Sequence, residues 1–328
     1  MRALVFDGKE ARLDRSRAEP VAAAGEAVIR PTRAGICATD LEICKGYMGF
    51  RGVLGHEFVG VVETVNTDGA GDEKKARAWV GKRVVGGINC VCGQCDMCMG
   101  GLSNHCRDRT VLGIVGRDGC FADRFTLPIK NLVEVPRTLD DDHAVFAEPL
   151  AAACNVLQQV HIVERPYVTV LGDGRLGLLC AQVLAKQNTK VRVIGRHPHK
   201  LTLCEKWGIK HRLESEVTPR GDQDIVVDCT GSASGLEAAM RMVRPRGRIV
   251  LKTTVAEQRG VDLSPLVIHE VQLIGSRCGP MRDAVAMLAG GEVDVLSMVS
   301  RRHRLDDAVK AMRTAGRGEA IKVLLEFD

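Results

Sequence analysis

The sequence has no apolar run near the roughly 18 residues that a membrane-spanning helix needs, so no transmembrane segment is expected. It also lacks the apolar core of a secretory signal. Met1-Arg2-Ala3-Leu4-Val5-Phe6-Asp7-Gly8 meets charge at once, and a cytoplasmic location is expected. Charge of one sign is missing too: 46 Lys and Arg against 41 Asp and Glu leave an interspersed +5, which gives no reason to invoke nucleic acid or a membrane surface. There is no internal repeat and no low-complexity segment. With 45% hydrophobic and 27% charged residues, the chain is not bulk-disordered.

What is present starts with length. At 328 residues the chain exceeds the ~250 at which one hydrophobic core usually stops growing, so two domains are expected. The first part is Gly-rich, with short strand-like stretches (Glu26 to Arg30, Phe58 to Val62) between turn signals, which predicts a mostly-β domain. Asn66 to Ala78 has almost no large apolar residue and reads as an exposed loop. From about Pro149 the texture changes. Strand-like runs at Tyr167–Leu171, Val191–Ile194, Ile225–Val227, Arg248–Leu251 and Val271–Ile274 are separated by helical periodicity, the pattern of βαβ units on a parallel sheet. After Gly279-Pro280, two helical segments precede a terminal strand, Lys322–Leu325.

Thirteen cysteines in a chain without an export signal point to metal ligands, catalytic groups or buried thiols more than to disulfides. Cys92, Cys95, Cys98 and Cys106 follow at intervals of three, three and eight, with glycines nearby. Zinc takes four thiolates at tetrahedral corners, and such a site is closed and structural. A disulfide pair or four unrelated thiols is the alternative.

Gly172-Asp173-Gly174-Arg175-Leu176-Gly177 follows one predicted strand and opens a helix, as a dinucleotide fingerprint does. A pyrophosphate would rest on the free N–H groups of that helix terminus. At the end of the next strand, where a site for the non-phosphorylated cofactor carries an acid, the sequence reads Gly195-Arg196-His197-Pro198-His199-Lys200. Arg196, with His199 or Lys200, favours a 2′-phosphate and hence NADP, with NAD as the other option. A solvated basic turn is the alternative.

Together with Gly35-Ile36-Cys37-Ala38-Thr39-Asp40 and Gly55-His56-Glu57, these features make a set in which the chain resembles the zinc-dependent medium-chain dehydrogenase/reductase superfamily, the alcohol, polyol and threonine dehydrogenase group. The resemblance implies a catalytic zinc on Cys37 and His56, completed by Glu57 or by Glu148 of Ala147-Glu148-Pro149-Leu150-Ala151, and leaves open which of the two. It implies that Thr39 takes the alcohol proton and that Asp40 orients the histidine. Relatives often carry a histidine where this chain has Glu42; Glu42 is either its replacement as outer proton relay or a plain solvated carboxylate. Lys322 is either a cofactor-phosphate contact or a surface lysine.

The expected architecture is therefore α/β. A GroES-like β-rich catalytic domain (1–150 and 279–328, structural zinc loop 90–106) accompanies a Rossmann domain with a doubly wound parallel sheet (151–278). Two zinc ions per chain, NADP, a small alcohol or carbonyl substrate and a homodimer or homotetramer go with it. The competing functions are a zinc-independent reductase of the same superfamily and a non-catalytic nucleotide- or zinc-binding regulator on this scaffold.

Overall fold

The structure, a computed structural model, describes residues 1–68, 72–254, 256 and 260–328. The chain is α/β and divides into two compact units. Met1–Glu148, Ala284–Glu292 and Val299–Asp328 form the first; Pro149–Asp283 and Val293–Met298 form the second. The boundary differs from the expected 279–328 return. Residues 279–283 and 293–298 group with the second unit, where Asp294 accepts hydrogen bonds from Trp207 Nε1 (3.0 Å) and Ser297 Oγ (2.7 Å). The loop expected over 66–78 is also not loop throughout. Asp72 accepts from Lys75 N at 3.0 Å and caps a one-turn helix, Glu73–Arg77, while the 69–71 portion lies outside the described residues.

The spine of the first unit is the eleven-residue strand Glu26–Ile36. Branched and small apolar residues (Ala27, Ile29, Ala34, Ile36) take its fully buried positions. It pairs antiparallel with Glu57–Val65, with Phe125–Pro128 and with the C-terminal strand Lys322–Glu326. Register is what positions the chemistry. Gly35 faces Glu57 on one side, and Ile36 faces Val323 on the other, so Glu57 and Lys322 converge on the strand end from which Cys37 emerges. Phe58 and Phe125 meet edge to face at 4.7 Å between ring centroids, and Phe121 and Phe146 are fully buried.

In the second unit, β1 (Tyr167–Leu171) leads into α1 (Arg175–Ala185), β2 (Lys190–Gly195), α2 (Pro198–Lys206) and β3 (Lys210–Leu213). Then follow β4 (Gln223–Asp228), α3 (Gly235–Met242), β5 (Val243–Leu251) and β6 (Gln272–Gly275). All pairings are parallel and the spatial order is β3-β2-β1-β4-β5-β6, that of a doubly wound dinucleotide-binding sheet. The central strands are buried on both faces, which is why Val168, Val170, Val193, Ile225 and Val227 form near-continuous apolar runs.

Lys252, just after β5, is buried and its ammonium serves as a staple. It donates to the carbonyls of Ala152 (2.7 Å) and Ser276 (3.2 Å) and contacts Ser276 Oγ (3.1 Å) and Arg277 O (3.4 Å). A buried cation is tolerated here because carbonyl dipoles replace its water. Lys252→Met keeps the stem and strips the donors, so it should lower unfolding stability by about 2 kcal/mol. Chemical denaturation of the purified variant, with an unchanged far-UV spectrum, checks this.

Candidate active site and metal centres

Cys37 is the N-cap of a short helix, Ala38–Ile43, and its backbone N–H donates to Asp40 Oδ2 at 2.8 Å. Asp40 is fully buried. Its other oxygen, Oδ1, lies 3.2 Å from His56 Nδ1, off the alignment of a proper hydrogen bond but at ion-pair distance. One carboxylate thus holds the start of the helix and places its charge beside Nδ1 of the imidazole. Burial opposes protonation of His56, but Asp40 and Cys37 outweigh it and hold the pKa well above the ordinary histidine value.

Glu57, also fully buried, forms an ion pair with Lys322, whose Nζ lies 5.5 Å from the Phe146 ring centroid. Of the two readings of Lys322, the surface lysine is excluded, because its ammonium has no exposure and pairs with Glu57. Gly35 makes the pair sterically possible, because a Cβ there would sit 2.3 Å from Glu57 Oε2 and 2.7 Å from Lys322 Nζ.

The donor atoms of Cys37, His56 and Glu57 lie within 4.8 Å of one another, and Glu57 Oε1 is buried without a hydrogen-bond partner. A thiol, an imidazole and a carboxylate, one of them left unsatisfied, fit a zinc ion. Glu148, half-buried in the first turn of helix Ala147–Gln159, is not in this donor group. Thr39 Oγ1 accepts from the Cys37 thiol at 3.6 Å, so its hydroxyl borders the same centre. Glu42, on the same helix, accepts from Lys45 Nζ at 2.7 Å.

Cys92, Cys95, Cys98 and Cys106 form a second cluster of donor atoms within 4.8 Å. The Cys92–Cys106 and Cys95–Cys106 sulfur separations are 3.5 and 3.8 Å. Four bonds of ~2.3 Å at tetrahedral angles place sulfurs about 3.8 Å apart, so the knuckle fits a closed zinc site. N–H groups of Arg107 and Cys98 lower the Cys95 thiol to about 6, whereas burial raises Cys98 to about 12. Backbone amides already favour the thiolate that a metal needs.

In the second unit the fingerprint builds a cavity of about 240 Å³. Gly172 has φ +105°, and a Cβ there would strike Cys229 O at 2.6 Å; a Cβ on Gly177 would strike Gly172 O at 2.1 Å. At Gly174, the N-cap of α1, nothing lies within 4 Å of the point a Cβ would occupy, so the first turn beginning at Arg175 and Leu176 is open to a pyrophosphate. Arg196 and buried Lys200 line the cavity; His199 is exposed on α2.

Two acids in this cavity escaped the sequence reading. Asp173 is buried at the end of β1. It accepts from His197 N (2.6 Å) and contacts His197 Nδ1 (3.0 Å), so it occupies the space below Gly195. Glu214, just past β3, pairs with Arg196 and lines the same cavity. No motif spacing announces them: Asp173 is a free position in the fingerprint, and Glu214 arrives only because β3 lies beside β2.

Comparison with known proteins places this geometry. Residues 23–137 match the family model of the alcohol dehydrogenase GroES-like domain, and residues 176–290 that of the zinc-binding dehydrogenases. The chain is 32% identical over 271 residues to the starvation-sensing protein RspB of Escherichia coli (strain K12), covering 79% of this chain and 78% of that one. The chain belongs to the zinc-dependent medium-chain dehydrogenase/reductase superfamily. It is an enzyme of the NAD(P)-dependent alcohol dehydrogenase class. A sorbitol dehydrogenase of Halalkalibacterium halodurans is 26% identical, with 94% of this chain and 93% of that protein covered. Among solved structures, a chain from Sinorhizobium meliloti 1021 bound to NADP superposes with a TM-score of 0.87, at 27% identity over 99% of this chain and 98% of that one. rspB of E. coli CFT073, complexed with NADH, gives 0.88 at 28%, over 100% and 99%. The Rossmann and GroES-like architecture is common to this group of dehydrogenases.

The buried ion pair beneath the first centre generates a test that needs no cofactor. Gly35→Ala should push Glu57 and Lys322 apart and cost about 1–3 kcal/mol of stability. Gly60→Ser, on the neighbouring strand and clashing with backbone instead, serves as the comparison, and only Gly35→Ala should change metal affinity at Cys37 and His56.

Proposed function

We propose that this enzyme interconverts a secondary alcohol or polyol and its carbonyl, using zinc and a nicotinamide cofactor with NADP favoured. The observation that carries the reading is the open three-donor group of Cys37, His56 and Glu57, distinct from the closed four-sulfur knuckle. Cys37, His56 and one of Glu57 or Glu148 would hold a catalytic zinc, and Cys92, Cys95, Cys98 and Cys106 a structural one, two per chain. When bound, the zinc supplies Lewis-acid polarisation of the substrate oxygen and the nicotinamide supplies or accepts the hydride.

The chain's own residues supply the rest. Asp40 holds His56 in one orientation. Thr39, at the edge of the donor group, takes the alcohol proton, and Glu42 on the same helix passes it outward. Gly172, Gly174 and Gly177 let the backbone close on the pyrophosphate. The alcohol dehydrogenase class and the polyol dehydrogenase among the relatives support the substrate class. A homodimer or homotetramer in the cytoplasm completes the reading; exposed Val267, Ile268 and Leu273 beside and on the edge strand β6 support self-association.

A substrate panel of polyols, sugars, amino alcohols and aldehydes, followed by nicotinamide absorbance, tests the activity. Metal analysis should give two zinc ions per chain in the wild type. Cys37→Ser should lose one of them together with turnover; Cys98→Ser should lose the other. One zinc per chain in the wild type, unchanged in Cys37→Ser, returns the assignment to a zinc-independent reductase or a regulator.

Cofactor choice is a contest between Arg196 and its acidic neighbours. Glu214 offsets the guanidinium that would otherwise meet a 2′-phosphate, and Asp173 adds negative charge. Glu214→Gln should raise the NADP:NAD ratio of kcat/KM by about tenfold, equivalent to about 1.4 kcal/mol, and Arg196→Asp should reverse it. Steady-state kinetics with both cofactors reads the two outcomes.

A further inference from the structure

The link from β3 to β4 must pass β2 and β1, because the sheet order is β3-β2-β1-β4, and it does so with a single 3₁₀ turn and loop over residues 214–222. Beside this loop is a second cavity, of about 290 Å³, lined by Arg192 of β2, Arg212 of β3 and Arg220 of the loop. Among the described residues none of the three guanidinium groups has a carboxylate within ion-pair distance. The two acids on the wall bond to neutral groups instead. Asp222 accepts from Gln223 Nε2 at 2.6 Å, and Glu216 accepts from Leu213 N at 3.4 Å.

Arg192 is the telling member. It rises from the interior of a strand, half-buried, and its side chain has only a hydroxyl to donate to, Thr169 Oγ1 at 3.2 Å. That hydroxyl in turn donates to Gln223 Oε1 at 2.7 Å, so the groups Arg192 itself touches are neutral. Burial, reinforced by Arg212 and Arg220 and opposed by Asp222, draws Arg192 below the usual arginine range. Three guanidinium groups around one hollow outnumber its two carboxylates and reach neither at ion-pair distance, which is costly for a folded chain. An anion would relieve that cost, and three guanidinium forks match the three terminal oxygens of a phosphoryl group.

We propose that Arg192, Arg212 and Arg220 form a binding site for a phosphoryl group, either free phosphate or a phosphate monoester. The volume is close to the ~300 Å³ lower bound of small-molecule pockets, enough for a phosphoryl group and a short carbon chain. It is separate from the fingerprint that takes the dinucleotide, yet Met242 at the end of α3 lines both cavities.

The test uses full-length enzyme saturated with NADP, so that the fingerprint and Arg196 are already occupied. Inorganic phosphate and glycerol 3-phosphate are titrated calorimetrically at an ionic strength held constant with sodium chloride. One saturable site per chain is expected. Tighter binding of glycerol 3-phosphate assigns the site to monoesters, and equal or weaker binding assigns it to free phosphate. Arg192→Met should weaken the preferred ligand at least about tenfold. Arg220→Gln, a loop substitution without a packing role, should weaken it severalfold with an unchanged thermal midpoint, and it keeps the test decisive where Arg192→Met fails to fold. Absence of saturable binding by either ligand, or undiminished affinity in Arg220→Gln and Arg192→Met, overturns the proposal.

Discussion

Four ionisable groups without meaningful contact with water, Asp40, His56, Glu57 and Lys322, set the terms for the first unit. Charges buried to that degree persist only in company, and the company here is supplied by β-sheet register. The strand Glu26–Ile36 brings Glu57 from one neighbour and Lys322 from the other to the same point, and the glycine at position 35 removes the one side chain that would keep them apart. Cys37 then leaves the strand end into a helix whose first turn carries Asp40. The central strand and its neighbour thus place Cys37 and Glu57 directly at their ends, with His56 in the short loop immediately before Glu57.

The second unit solves a different problem, bringing backbone close to a large anion. Its three fingerprint glycines act through what they lack: Gly172 and Gly177 let strand, turn and helix close to within contact of one another, and Gly174 leaves the helix terminus uncovered. Around that opening, charge is balanced rather than uniformly positive. Arg196 and Lys200 line it beside Asp173 and Glu214, so the field in the pocket is a small difference between opposing terms.

Local features were legible in the sequence. The fingerprint, the cysteine spacing and the alternation of strands and helices each depend on neighbours within a few residues, and the parallel order of the second sheet followed from them. Contacts between distant positions were not legible. Lys322 meets a partner 265 residues away, and only the pairing of the last strand with the spine brings them together. Glu214 and Asp173 reach the cofactor cavity through strand order and a side-chain direction that no spacing rule encodes. The helix over Glu73–Arg77 was hidden by its polarity, because one turn held by an aspartate cap needs no apolar stripe.

The cysteine knuckle has a consequence for the lifetime of the molecule. Backbone amides bias Cys95 toward the thiolate, the form that binds metal best and also the form that oxidants attack first. With Cys92 and Cys106 sulfurs 3.5 Å apart, the neighbours needed to trap an oxidised sulfur are already in place. The same preorganisation that suits the loop to a metal makes it chemically perishable when bare, so the zinc proposed for it would act as a protecting group as much as a structural support.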